Sequence, residues 1–302
     1  MLFIMSKSTK KSYFIRRLRL FCKCNYAIII TLPVIIALAF YAVRIEPDTL
    51  RIKKYTFRHE KVTPELDGTV IAFAADLHAN HRRHKLWLEV TEFLNSCNEN
   101  MPILLGGDLI NGNGKGFRHE KVLDNLKILK NPSRIYIVPG NHEYRRYGKM
   151  DTLRQTFNDG NFIFMQDTNV IITTSSGGKF NLAGLDFMTN PHKRIDRQRT
   201  VGLLRDDMLN IVLTHTPEDF PFLPEKAHLV LAGHTHGGQI YLPFLGSVIN
   251  PPGYPRKYTY GEVNENGKKM LVSSGLGSAY TQARFYMKPE IVLITLKSTN
   301  KK

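Results

Sequence analysis

The chain has 302 residues, 42% of them hydrophobic, and a formal charge of +16, which is enough apolar side chain for a buried core and too much for a disordered polymer. Lys and Arg outnumber Asp and Glu by 11 to 2 within residues 1–54. The charge is thus gathered in an N-terminal arm, which suits anionic lipid headgroups; a nucleic-acid binder would spread it over a face of the fold. Three cysteines, Cys22, Cys24 and Cys97, exclude a disulfide framework and leave only a weak pattern for acylation of the first two.

Residues 1–25 are read as a basic cytoplasmic arm and 26–43 as a transmembrane segment. The segment runs from Tyr26 to Val43 without a charge, just long enough to cross a bilayer as a helix, and Pro33 would kink it without forbidding it. Before it stand Lys7, Lys10, Lys11, Arg16, Arg17, Arg19 and Lys23 with no acid. After it, Arg44, Arg51, Lys53 and Lys54 are mixed with Glu46 and Asp48. Because positive residues stay on the cytoplasmic side, the expected protein is single-pass in a bacterial inner membrane with its large domain extracytoplasmic. Two rivals remain open: Ala37-Leu38-Ala39 fits a small-x-small cleavage site. Arg16-Arg17 fits the start of a twin-arginine signal, although Arg19 falls where that signal wants an apolar residue.

Residues 44–69 are polar, contain Pro47, Pro64 and Gly68, and are expected to form a stalk. From residue 70 to 302, short apolar runs alternate with amphipathic segments, the pattern of strands interleaved with helices in one α/β domain. The expected strands are Val70–Ala75, Ile103–Leu105, Ile135–Val138, Phe180–Gly184, Ile211–Thr214, Leu229–Ala232, Met270–Ser273 and Ile291–Leu296. Helices are expected over Lys85–Cys97, Glu120–Leu129, Thr152–Phe157 and Arg197–Leu204. A hexapeptide at 57–62 recurs at 117–122, but its flanks differ, so it is not a structural repeat.

Several apolar runs end in residues of metal-ligand type. Val70–Ala75 leads into Asp76-Leu77-His78, and Ile103–Leu105 into Gly106-Gly107-Asp108. Ile135–Val138 leads into Pro139-Gly140-Asn141-His142-Glu143, Ile211–Thr214 into His215, and Leu229–Ala232 into Gly233-His234-Thr235-His236. Ligands bind beyond the carboxyl ends of strands in an α/β sheet, so five such endings point to one place. Carboxylates, imidazoles and a carboxamide without thiolate favour divalent Mn, Fe or Zn.

The order D-x-H, G-D, G-N-H-[DE], H and G-H-x-H over about residues 70–240 resembles the calcineurin-like metallophosphoesterases. That resemblance implies a sandwich of two mixed β-sheets flanked by helices, preceded here by one transmembrane helix. It implies two divalent metal ions: Asp76, His78 and His236 on the first, Asn141, His215 and His234 on the second, and Asp108 bridging. His142 would lie outside both sets of ligands and stabilise the transition state or protonate the leaving oxygen. One departure is Asn111, where many relatives carry an acid.

Arg82, Arg83, Arg145 and Arg284 are candidate substrate-binding residues, because guanidinium groups near such a site grip anions; a surface salt bridge is the other reading of Arg284. Gly237-Gly238-Gln239, Tyr260-Gly261, Gly275-Leu276-Gly277, Arg284 and Pro289-Glu290-Ile291 resemble the branch of the family with one N-terminal membrane segment, which includes UDP-2,3-diacylglucosamine pyrophosphatases of lipid A synthesis. The expected function is metal-dependent hydrolysis of a phosphoester or pyrophosphate bond, with a phosphorylated, lipid-linked substrate and the membrane as partners and no nucleic acid. The alternative from another class is a non-catalytic metal-binding membrane scaffold.

Overall fold

The computed structural model describes residues 28–79, 84–110, 126–147, 150–187, 201–248, 255–278 and 281–299. Its first element, α1 (Ile28–Asp48), is a 21-residue helix whose apolar window has no buried residue. It closes through a wider turn at Tyr41–Ile45 and a tight one at Glu46–Asp48. By length and composition such a helix can cross a membrane, and a signal sequence near an N-terminus would pass the same test. The helix continues beyond Val43, and the expected first residue of the span, Tyr26, lies outside the described residues.

The expected stalk over 44–69 is corrected by the structure. Glu46 and Pro47 are already buried, and β1 (Arg51–His59) runs parallel to β14 (Glu290–Ser298), from Arg51 opposite Glu290 to His59 opposite Ser298. Phe57, Val62 and Leu66 have no exposed surface. These residues belong to the domain because their apolar side chains fill its core.

Between those two strands lie β2 (Val70–Ala74), β3 (Ile103–Leu105), β4 (Ile135–Ile137), β5 (Ile163–Phe164), β6 (Thr168–Thr173), β7 (Lys179–Gly184), β8 (Asn210–Leu213), β9 (Leu229–Ala232), β10 (Tyr241–Leu242), β11 (Gly246–Ser247), β12 (Gly261–Glu265) and β13 (Lys268–Val272). One six-stranded sheet has the order β1-β14-β2-β3-β4-β5 and a second the order β12-β13-β9-β8-β7-β6, while β10 and β11 form a separate hairpin. Each large sheet is mixed: β2 to β5 and β7, β8, β9 and β13 are parallel, and antiparallel pairs join β14 to β2, β6 to β7 and β12 to β13.

Side chains alternate across a strand, so each sheet has two apolar faces to cover. Ile71, Phe73, Leu104 and Val138 of the first sheet meet Phe180, Leu182, Ile211 and Leu229 of the second, forming the central layer. The other face of the first sheet, with Ala72, Ile103 and Ile135, is covered by Leu86, Val90 and Leu94 of α2 (His84–Ser96) and by Leu153 and Phe157 of α4 (Asp151–Asp159). The outer face of the second sheet packs Val212, Val230 and Met270 against Phe220, Leu223 and Tyr258. Between α2 and α4 in sequence, α3 (Asn141–Tyr147) follows β4 directly. Of the other expected helices, residues 120–125 and 197–200 lie outside the described residues.

Candidate metal centre

Both sheets deliver their carboxyl ends to one place. From the first sheet, β2 is followed by Asp76 and His78, β3 by Asp108, and β4 by Asn141 and His142. From the second, β8 is followed by His215 and β9 by His234 and His236. The backbone bends sharply at this edge: Asp76, His78, Asp108, His234 and His236 all have positive φ, between 41° and 72°. Non-glycine residues rarely adopt that conformation outside sites whose surroundings impose it. The loops are also closely nested, since a Cβ on Gly140 would collide with the Asp108 carboxylate.

Asp76, His78 and His236 form one group whose potential ligand atoms lie within 4.8 Å of one another, and Asp108, His215 and His234 form another. Nε2 of His78 lies 3.1 Å from Nε2 of His236. Nε2 of His215 lies 3.0 Å from Nδ1 of His234 and 3.1 Å from Oδ1 of Asn141. Donors about 2.0–2.1 Å from a shared ion at right-angled or tetrahedral positions stand about 3–3.4 Å apart, so these residues fit a metal ion. Asp108 Oδ2 lies 3.6 Å from His78 Nε2 and 3.4 Å from His215 Nε2, facing both groups at once.

Three of the four imidazoles are held neutral by burial, and the fourth, His215, is not. Burial pushes His78 and His234 down to about 3 and His236 well below its ordinary value. At His215 burial acts in the same direction, but the Asp108 charge and hydrogen bond prevail and lift it to about 10. With Nδ1–H of His215 donating to the Gly106 carbonyl at 2.8 Å, its Nε2 is the atom turned to the site. Burial raises Asp76 to about 7, against two N–H···O contacts from the His234 backbone at 2.9 and 3.1 Å.

His142 is buried in the same cluster and forms a third group of potential ligands with His78 and Asp108. Its backbone N–H donates to Asp108 Oδ1 at 2.7 Å, and its Nε2 is 3.9 Å from Asp108 Oδ2. Burial lowers its pKa, Asp108 opposes that, and Arg145 adds to the lowering.

The sequence profile described as "Calcineurin-like phosphoesterase" matches residues 69–238, the stretch that holds every one of these side chains. The chain belongs to that family. It is a metallophosphoesterase, a hydrolase whose family works with divalent metals. A Bacillus subtilis protein called uncharacterized metallophosphoesterase YkuE is 31% identical over 270 residues, 86% of this chain and 90% of that one. UDP-2,3-diacylglucosamine pyrophosphatase LpxG of Chlamydia muridarum is 23% identical, over 84% of this chain and 91% of its own. Among solved structures, a protein of unknown function from Aquifex aeolicus, AQ665, covers 59% of this chain and 83% of its own at 17% identity, with a TM-score of 0.30, too slight a likeness to argue from.

This metallophosphoesterase also contains residues whose supporting role a list of ligand types does not show. Glu143 is fully buried and accepts N–H bonds from Asp108 at 2.9 Å, Leu109 at 2.8 Å, Ile110 at 3.2 Å and Gly140 at 2.7 Å. It holds the Asp108 loop to the first turn of α3. Its signal is the spacing Gly140-x-x-Glu143, in which the third helical residue reaches back to the N-cap amide.

Arg284 is not at the mouth of the site, and the expectation that it grips substrate or lies in a surface salt bridge is corrected. It has no exposed surface. Its guanidinium donates to the carbonyls of Met287 at 2.7 Å, Ser274 at 2.8 Å, Gly275 at 3.2 Å and, through Nε, Gly277 at 3.0 Å. The loop it gathers lies under the first ligand group: the Gly277 N–H donates to the Asp76 carbonyl at 2.6 Å. Tyr260 and Glu290 join the same support, with Arg51 Nη2 donating to both at 2.6 Å and Glu290 Oε1 accepting from the Ser274 N–H at 3.0 Å. Arg145 is exposed on α3, whereas Arg82, Arg83 and Asn111 lie outside the described residues.

Proposed function

We propose that the chain hydrolyses a phosphoester or diphosphate bond in a lipid-linked substrate, anchored by α1 with the domain beside the bilayer. The carrying observation is Asp108 Oδ2, within 3.6 Å of an imidazole nitrogen of each ligand group. In this reading Asp76, His78 and His236 hold one divalent ion, Asn141, His215 and His234 hold a second, and Asp108 serves both. When bound, the ions supply Lewis-acid polarisation of phosphoryl oxygens and a water nucleophile at neutral pH.

The chain's own residues do the rest. Glu143 fixes the Asp108 loop, and the Gly106 carbonyl fixes the His215 ring. His142, grouped with His78 and Asp108 and 3.9 Å from Asp108 Oδ2, is assigned to hold a proton at Nε2 for the leaving oxygen and not to bind an ion. Arg145, one turn along α3, presents positive charge at the rim for the anionic substrate. Arg82 and Arg83, which follow His78 closely in sequence, are proposed for the same task.

The lipid-linked part of the reading is supported by the exposed apolar helix and by the likeness to LpxG, whose name gives it a diphosphate lipid substrate. A UDP-diacylglucosamine-type pyrophosphatase is accordingly the second reading. The test uses the full-length chain, stripped of metal and reloaded with Mn, Fe or Zn. It is assayed on bis(4-nitrophenyl) phosphate, lipid phosphates, lipid diphosphates and a UDP-linked lipid. Turnover restored by metal, with preference for a lipid over the soluble ester, is the expected result. Metal binding with no turnover of any of them would favour the scaffold instead.

A further inference from the structure

His236 is followed at once by an apolar projection. Through Gly237, Gly238 and Gln239 the chain enters the β10–β11 hairpin, whose turn is Pro243-Phe244-Leu245. Phe244 is fully exposed and its φ is 70°, while Leu245 and Val248 are 68% and 56% exposed. A bulky ring held outward on left-handed backbone is uncommon, and clustered exposed apolar side chains mark an interaction surface.

The hairpin is tied to the foot of α1. The Tyr241 N–H donates to the Phe285 carbonyl at 2.9 Å, and the Phe285 N–H donates to the Gln239 carbonyl at 2.8 Å. The Phe285 ring in turn meets Tyr41 of α1 edge-on, with centroids 6.4 Å apart, and the Arg284 N–H donates to the Ala42 carbonyl at 2.8 Å. Tyr286, 61% exposed, extends the same surface. The end of the apolar helix and the hairpin are therefore one continuous face.

That face has the composition of a membrane interface. Tyr41, Tyr241 and Tyr286 stand at the junction, and Tyr is enriched where headgroups meet acyl chains. Beside them Arg44, Arg256 and Lys257 are exposed, and Arg256 Nη1 donates to the Leu245 carbonyl at 3.4 Å. Cations flanking an apolar tip match anionic headgroups.

We propose that the β10–β11 hairpin dips into the lipid layer beside α1, with Phe244, Leu245 and Val248 among the acyl chains and Arg256 and Lys257 at the headgroups. The strand that leaves His236 is then pinned to the bilayer surface, and the metal centre stays beside lipid-embedded substrate. The inference rests on α1 being a membrane anchor, but it does not depend on which bond is hydrolysed.

The test places one Trp at a time in the full chain, after Trp87→Phe removes the only natural one. The protein is reconstituted into vesicles of phosphatidylglycerol and phosphatidylcholine brominated on the acyl chains. The Phe244→Trp variant should be quenched about as strongly as a Phe40→Trp control on the exposed face of α1. Quenching at residue 40 without quenching at residue 244 would leave the anchor standing and overturn the hairpin. If that unquenched Trp were also shielded and the protein dimeric, the patch would belong to a second copy. Quenching at neither position would overturn anchor and hairpin together. As a second readout, combining Phe244→Asp with Leu245→Asp should lower turnover of a vesicle-borne lipid diphosphate by about tenfold or more. Turnover of soluble bis(4-nitrophenyl) phosphate should be unchanged. Equal loss on both substrates would also overturn the proposal.

Discussion

Asp108 carries more of the site than any other residue, because one oxygen faces both ligand groups while the other accepts the His142 N–H. Asp108→Ala should therefore lower metal content at both positions together, read by elemental analysis of the purified variant. Loss of about half the metal would mean that Asp108 serves a single ion. His142→Ala should retain the metal yet lower kcat by about 10²–10⁴-fold, the usual contribution of a positioned proton donor. That loss should shrink for esters with good leaving groups, which need no proton; a loss of metal would make His142 a ligand instead. That Asp76, His78, Asp108, Asn141, His215, His234 and His236 gather at one edge of the sheets was legible in the sequence, because they follow the ends of apolar runs and are of ligand-forming types. The supporting roles of Glu143 and Arg284 were not. Their partners are backbone amides and carbonyls, which every residue has, so nothing in their own identity announces the contact. An arginine sealed among four carbonyls looks the same in sequence as an arginine gripping phosphate.

The strands divide along a physical line. Those at interior positions, such as Ile103–Leu105, residues 211–213 within β8 and Leu229–Ala232, are covered on both faces and bonded on both sides, so they read as unbroken apolar runs. The strands missed in both large sheets, β1, β5, β6 and β12, are the edges. Edge strands are half solvated and carry charges that discourage pairing with another chain. In β1, Lys53, Lys54 and Arg58 break up the alternation of Ile52, Tyr55 and Phe57, which is why residues 44–69 resemble a polar stalk. Phe57 separates the two descriptions. It has no exposed surface and packs in the central layer, so Phe57→Ala should destabilise the domain by about 3–5 kcal/mol. Denaturant unfolding in detergent micelles would measure it. A change near zero would return the segment to a stalk.

At the scale of the whole molecule, the question that decides the substrate is which side of the membrane the domain occupies. Seven basic residues from Lys7 to Lys23 precede the apolar run with no acid among them, and orientation follows Lys and Arg close to a span, whereas large domains translocate largely regardless of charge. The prediction from that argument is that residues 44–302 face outward, which would put a lipid phosphate or diphosphate of the outer leaflet within reach and a nucleotide-linked lipid made in the cytosol out of it. The proposed second reading, a UDP-linked lipid, pulls the other way, because it would need the domain inside. The hairpin does not decide between them, because Phe244 and Leu245 would meet lipid on either face. Protease added to intact spheroplasts of a bacterial host expressing the chain with a C-terminal tag gives the answer. Digestion of the tag is the expected outcome, and it would leave the UDP-linked lipid as the weaker candidate. Protection in intact spheroplasts that disappears on lysis would reverse the topology and make that lipid the leading substrate.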